Sequence, residues 1–305
     1  MSLGILCSGQ GGQGPGMLDL LRREPAAQAV LDRAAGVMGQ DPRTLVAGSE
    51  AEMQRNAVAQ PLLCAVQAAT WAALRPHLPP VRAVAGYSLG ELSAYHVAGG
   101  LDADELLRLA MRRAEAMDRA DPEPGGLLAV RGLDRVRLET LCRDHGADIA
   151  IENGADRFVV GGHRTVLEAV EAAVQALGAT VTPLPVTVAS HTRLMAPAAG
   201  EFGSILAASG LQAPPLPVLA GIDGTPVYTR ERAVAALTRQ MTETVAWAAC
   251  LDGLVEMGCT VLLETGPCNA LARMAAERHP GLAVRAVADF RSLSGAAAWV
   301  ERQLG

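Results

Sequence analysis

Val81-Arg82-Ala83-Val84-Ala85-Gly86-Tyr87-Ser88-Leu89-Gly90-Glu91-Leu92-Ser93-Ala94 is the stretch on which the fold turns. Val81 to Ala85 is a short apolar run bounded by Gly86 and reads as a buried strand. Glu91-Leu92-Ser93-Ala94 opens a helix. Between them, Gly86 to Gly90 fits G-x-S-x-G. A turn this tight needs small flanking residues, and it pushes the serine hydroxyl out above the sheet. The helix N-terminus then aims its amides, Leu89 N–H nearest, at any oxyanion forming there. The plain alternative is an ordinary strand-to-helix turn with a capping serine; the strand before and the helix after favour the reactive reading.

Outward from this point the same alternation recurs. Leu3–Cys7 is a strand running into the glycine-rich loop Ser8-Gly9-Gln10-Gly11-Gly12-Gln13-Gly14, and helical patterns follow through Leu74. A helix starts directly after the elbow and another follows Asp102. Strand alternating with helix predicts an α/β fold with a parallel sheet covered on both faces. The middle of the chain changes character. Strand Leu127–Gly132, helix Arg135–His145, strands Ala147–Ile151 and Phe158–Gly161 across Asn153-Gly154, helix Thr165–Leu177 and strand Thr180–Thr187 spell βαββαβ, the ferredoxin-like pattern. Asp121-Pro122-Glu123-Pro124-Gly125-Gly126 is the expected linker into it. The chain then returns to the main sheet through strand Pro217–Ala220, a helix near Glu231–Thr244 and strand Val261–Glu264. The expected division is a large domain of residues 1–124 and 188–305 and a small one of 125–187.

Composition excludes several chemistries. All 26 basic residues are arginine. With no lysine there is no Schiff base, no pyridoxal phosphate anchor and no phosphate-loop lysine. A net charge of −6 without a basic run argues against nucleic acid as a partner. The six cysteines are scattered with no C-x-x-C and no His at metal spacing, so buried free thiols are expected and no metal site. No apolar run is expected to span a bilayer and no secretion signal is read, which places the chain in the cytoplasm without a membrane partner.

A reactive serine needs a base. His77 and His279 sit beside proline in polar surroundings, His145 ends a helix, His163 begins one, and His96 lies one turn past the elbow, where packing is the simpler role. His191 follows the last small-domain strand, where the chain re-enters the main sheet at the cleft between the domains. The acids between Ser88 and His191 have no evident path to the imidazole, so a dyad is expected, with the ring oriented by a backbone carbonyl. On the helix from about Glu105 to Arg119, Arg113 shares the apolar stripe of Leu106, Leu109, Ala110 and Met117. An unpaired guanidinium there is costly, so it is expected to meet a carboxylate, either an internal Asp or Glu or that of a ligand held by the fork.

Five blocks in order resemble the malonyl-CoA:acyl carrier protein transacylase family over nearly the whole chain. They are Gly9-Gln10-Gly11-Gly12-Gln13, Gly86-Tyr87-Ser88-Leu89-Gly90-Glu91, Arg113-Ala114-Glu115-Ala116-Met117, Ser190-His191-Thr192-Arg193-Leu194-Met195 and Glu264-Thr265-Gly266-Pro267; Asn153–Gly162 adds a weaker match. The resemblance implies a hydrolase-like large domain with a ferredoxin-like insertion. It implies that Ser88 is acylated, that His191 is its general base and that Arg113 pairs with the malonyl carboxylate. It further implies that Gln10 and the Leu89 N–H form the oxyanion hole and that the Gln240 carbonyl orients the histidine. The substrate would be a CoA thioester, malonyl-CoA, the partner an acyl carrier protein, and no cofactor would be permanently bound. Tyr87, where the family usually has histidine, is similar to the branch attached to malonate decarboxylase, its epsilon subunit, whose other subunits would then be partners. Ser8, Ala114 and Thr244 also depart, from proline, glycine and proline. The rival readings are a fatty-acid or polyketide malonyl transacylase, a serine thioesterase or lipase, and a non-catalytic carrier-binding subunit.

Overall fold

The computed structural model describes residues 1–120 and 123–305; Asp121 and Pro122, part of the expected linker, lie outside the described residues. The strands are β1 (Leu3–Cys7), β2 (Val81–Gly86), β3 (Gly125–Arg131), β4 (Asp148–Gly154), β5 (Arg157–His163), β6 (Thr180–Pro183), β7 (Val218–Leu219), β8 (Pro226–Val227), β9 (Val261–Glu264) and β10 (Ala283–Ala286). Six of them form one sheet in the order β10-β9-β1-β2-β7-β8, and four form a second in the order β4-β5-β3-β6. The six-stranded sheet is parallel except for its edge pair β7/β8; every pair in the second sheet is antiparallel. The protein is therefore a mixed α/β molecule with a parallel-sheet core.

The centre of the main sheet follows from composition. All five residues of β1 are buried, and they face alternately into two cores. Leu3, Ile5 and Cys7 join the larger core; Leu6, on the other face, joins Ala83, Ala85, Trp247, Leu251 and Leu262. Removing each such leucine or isoleucine from water is worth about 1.5–3 kcal/mol. That second core also takes Leu127, Ile151 and Val159 from the antiparallel sheet, so one face of the small sheet is sealed against the large one. Its other face packs Leu128, Val130 and Val160 under the helices Arg135–His145 and Arg164–Ala176.

Several boundaries differ from expectation, each for a local reason. The strand expected to run from Thr180 to Thr187 ends at Pro183, because Pro183 and Pro185 cannot donate to a ladder. The helix expected to reach Thr244 ends at Gln240. β8 and β10 are edge strands of two and four residues, too short for a periodic signal. One stretch, Asn56–His77, is after all long and apolar enough to cross a membrane by length and composition, but 83% of its apolar window is buried inside the protein. It is a core helix, and it packs against the helix Ala103–Ala120.

Candidate active site

β1 and β2 are adjacent and parallel, so the loops leaving their C-terminal ends meet at one edge of the sheet. The first is the glycine-rich loop holding Gln10, the second the elbow holding Ser88. The elbow folds back on both strands: a Cβ at Gly86 would lie 2.1 Å from Gly90 O, and one at Gly90 would lie 2.1 Å from Cys7 O. Only glycine fits at either position. Ser88 is held at φ +54°, a conformation that non-glycine residues seldom adopt. The Leu89 and Gln10 amides have no internal acceptor among the described residues. Gly9 is confined in the same way, since a Cβ there would lie 2.7 Å from Tyr87 O, and so the glycine loop rests on the elbow.

Among the described residues, His191 is the other non-glycine residue with positive φ, at +62°. Two strained residues in one protein mark a functional site more sharply than either does alone. The imidazole is 1% exposed, and its Nε2 lies 2.7 Å from Ser88 Oγ. Its Nδ1 lies 2.5 Å from Gln240 O. A carbonyl oxygen only accepts, so Nδ1 carries the proton and Nε2 offers its lone pair to the hydroxyl. Burial, then the positive charge of Arg113, push the imidazole pKa down to about 3, against the opposing pull of the Gln240 carbonyl. The ring is thus neutral at ordinary pH. No carboxylate touches it among the described residues. The backbone also clamps the loop, with His191 N donating to Met241 O at 3.0 Å. The remaining histidines lie elsewhere: His96 bonds Leu101 O, and His279 bonds Asp252.

Arg113 is 2% exposed, on the helix stripe where the periodicity puts it. Of the two partners expected, an internal carboxylate is absent among the described residues, and its contacts are amides. Its guanidinium donates to Gln60 Oε1 at 2.9 Å and Gln240 Oε1 at 3.4 Å, and it makes no ion pair among the described residues. Burial lowers its pKa to about 10, which leaves it charged. Each amide is itself oriented. Gln60 Nε2 donates to Asn56 Oδ1 at 2.7 Å, and Asn56 Nδ2 donates to Asp118 Oδ1 and Ala114 O. Gln240 Nε2 donates to Glu91 Oε2 at 2.5 Å and Ser88 O at 3.1 Å. The guanidinium therefore keeps N–H donors without a partner among the described residues, one Gln240 side chain away from the Ser88 carbonyl.

Gln240 has two functions in this geometry. Its carbonyl holds the imidazole, and its side chain links Arg113 to the elbow. The first contact is the one the resemblance leads one to expect; the second, and the contacts of Gln60 and Glu91, are not signalled by it. A signal was present for Gln60: Asn56, Gln60, Gln67 and Thr70 are the buried polar residues of an otherwise apolar helix and fall on one stripe. Beside His191 a groove of about 740 Å³ opens toward the antiparallel sheet, its walls including Arg143, Asp148, Arg193, Ile222, Thr242 and Thr244. Chemically, the arrangement can pass a serine proton to a neutral imidazole, receive an oxyanion on free amides, and meet an anionic group with a buried fork.

Residues 5–283 match the family model described as Acyl transferase domain. A malonyl CoA-acyl carrier protein transacylase of Salmonella typhimurium is 31% identical over 298 residues, which cover 94% of this chain and 96% of that one. Its counterpart in Mycobacterium tuberculosis is 33% identical, over 93% of this chain and 96% of that one. A solved structure of a type II PKS acyl-carrier protein in complex with its malonyl-transacylase superposes with a TM-score of 0.93 at 30% identity, covering 98% of this chain and 99% of that one. Fold, match and relatives agree: the chain belongs to the acyl transferase domain family, and the protein is an acyltransferase.

Proposed function

We propose that the protein moves a malonyl group from malonyl-CoA to an acyl carrier protein through an ester on Ser88. The observation that carries this reading is Arg113: a buried, charged guanidinium without a carboxylate partner among the described residues, joined to the elbow by one glutamine side chain. An acyl group ending in a carboxylate supplies the missing partner; a plain acyl group does not.

In the first half-reaction Ser88 Oγ loses its proton to His191 Nε2 and attacks the thioester carbonyl. The oxyanion is received by the amides of Leu89 and Gln10. The C–S bond then breaks, and the CoA sulfur leaves with the proton from His191. In the second half the same steps run in reverse, with the thiol of the carrier as nucleophile and Ser88 Oγ as leaving group. The histidine returns to its neutral form after each half, so the cycle is closed in protons and needs no resident cofactor. His191 and Leu89 are buried, while Ser88 itself is half-buried and so open to an incoming thioester.

Tyr87 supports the finer assignment to malonate decarboxylase, with that enzyme's other subunits as partners. It stands where the transacylases usually carry histidine, and its ring packs edge-on to Trp247 at 5.3 Å between centroids. The division into residues 1–124 with 188–305 and an inserted 125–187, and a cytoplasmic location, belong to the same proposal. Incubation with labelled malonyl-CoA alone tests the central claim. Transfer predicts about one label per chain, on Ser88, released by carrier protein; repeated turnover to free malonate would make the protein a hydrolase. Co-purification with decarboxylase subunits, rather than ketosynthases, tests the branch.

A further inference from the structure

The elbow carries a second unusual residue, Glu91. It is fully buried, yet it forms no ion pair among the described residues. Its Oε2 accepts from Gln240 Nε2 at 2.5 Å and from Gly221 N at 3.0 Å, while Oε1 has no hydrogen-bond partner. The fit is close: a Cβ at Gly221 would lie 2.6 Å from Oε2. A buried carboxyl costs several kcal/mol of desolvation, and if holding a backbone N–H and an amide were its whole purpose, a glutamine would do so more cheaply. What a carboxylate adds is polarity. It can only accept, and with the Ser88 carbonyl it holds the Gln240 NH2 toward the elbow and hence its Oε1 toward Arg113, Glu91 making the shorter of the two contacts. A glutamine at 91 could turn its own NH2 toward Gln240 and let that amide flip, placing N–H groups against the guanidinium. Burial pushes the Glu91 carboxyl up to about 7; the hydrogen bonds from Gln240 and Gly221 and then the charge of Arg113 oppose that rise and favour the carboxylate.

We propose that Glu91 is a positioning residue: by fixing the Gln240 amide with Oε1 toward Arg113, it sets the preference for acyl groups that end in a carboxylate. The relay aims the fork without neutralising it by direct contact, because an amide stands between the two charges. Gln240 also holds His191, but through its backbone carbonyl, which the side-chain orientation does not supply. Glu91 therefore acts on acyl selection more than on proton transfer. This inference rests on the malonyl reading above.

The test compares acylation by malonyl-CoA and acetyl-CoA, as kcat/KM for each, in the wild type, Glu91→Gln, Gln240→Leu, the double variant and Arg113→Ala, with thermal melting to confirm folding. Glu91→Gln is expected to lower the malonyl-to-acetyl ratio roughly tenfold or more, the size of one charge-assisted hydrogen bond. Gln240→Leu keeps the backbone carbonyl and is expected to lower the ratio similarly; adding Glu91→Gln to it should change nothing further, because both act through one side chain. Equal loss on both substrates, no loss in the ratio, or additive losses in the double variant would each overturn the proposal. If Glu91→Gln does not fold, Gln240→Leu still decides: an unchanged ratio in that variant overturns the relay. A wild type without malonyl preference, or one whose preference survives Arg113→Ala, would instead bring down the malonyl reading itself.

Discussion

Replacing Arg113 with alanine separates recognition of the acyl carboxylate from the chemistry of the serine. The guanidinium is 2% exposed and spends one N–H on Gln60 Oε1 and one on Gln240 Oε1. Its other donors can form two parallel bonds to a carboxylate. Hydrogen bonds to charged groups are worth about 1.5–3 kcal/mol each, so two set an upper range near 3–6 kcal/mol. The true loss is smaller, because water can enter the vacated space and the arginine already bears a desolvation cost, visible in its pKa of about 10. A net loss of about 3–4 kcal/mol, or two to three orders of magnitude in kcat/KM for malonyl-CoA, follows. Acetyl-CoA makes no use of the fork, so its rate should change by no more than about threefold. Intact-mass measurement of the Ser88 ester during a single turnover reads both rates directly. Equal losses on the two substrates would refute the reasoning and reduce Arg113 to a packing residue.

Other consequences can be checked independently. The His191 pKa of about 3 places its acid limb near that value, so acylation by acetyl-CoA, which does not use Arg113 or Glu91, should be flat from about pH 5 to 8. Arg113→Ala should move the limb upward, measured as kcat/KM against pH. Stability carries the same signature with a definite sign. Between about 3 and the ordinary value of 6.5 the unfolded chain binds a proton at His191 and the native protein does not. That contribution to stability is therefore complete above 6.5 and is lost as pH falls toward 3, by an amount on the order of several kcal/mol. Urea midpoints across pH should decline less steeply in His191→Ala. Gly86→Ala forces a Cβ to within 2.1 Å of Gly90 O, and a soluble, fully active variant would contradict the elbow geometry. Thr244→Val removes the 2.7 Å bond from Thr244 Oγ1 to Ile149 O and should cost about 1 kcal/mol in denaturant unfolding.

The fold was most legible where several local signals agreed. Val81 to Ala94 combines an apolar run, two obligatory glycines and a helix start, and the helix Arg135–His145 was bounded correctly because Asp134 caps it and Gly146 ends it in a left-handed turn. Legibility failed where geometry depends on distant partners. β8 exists only by pairing with β7, and its two residues carry no period of their own. Arg113 was placed on the right face, yet its partners came from helices about fifty residues before it and well over a hundred after it. Amide partners are hard to read in advance, because glutamine is common on exposed helices and only burial makes its orientation informative. Glu91 was hidden for a related reason: at a helix start an acidic residue is the ordinary choice, and nothing in the chain announces that this one points inward.

The segment from Gln240 to Val245 serves both sheets at once. At one end it grips the imidazole and the loop backbone through Gln240 O and Met241 O; at the other, Val245 bridges to Ile151 and exchanges backbone bonds with Ala150 and Glu152 at the edge of β4. The antiparallel sheet is thus tethered to the general-base loop by about five residues of chain. A carrier large enough to pry the cleft apart would have to break that seam or drag the histidine with it. Docking that leaves the seam intact keeps the base seated, while docking that strains it would loosen the enzyme's grip on its own proton acceptor.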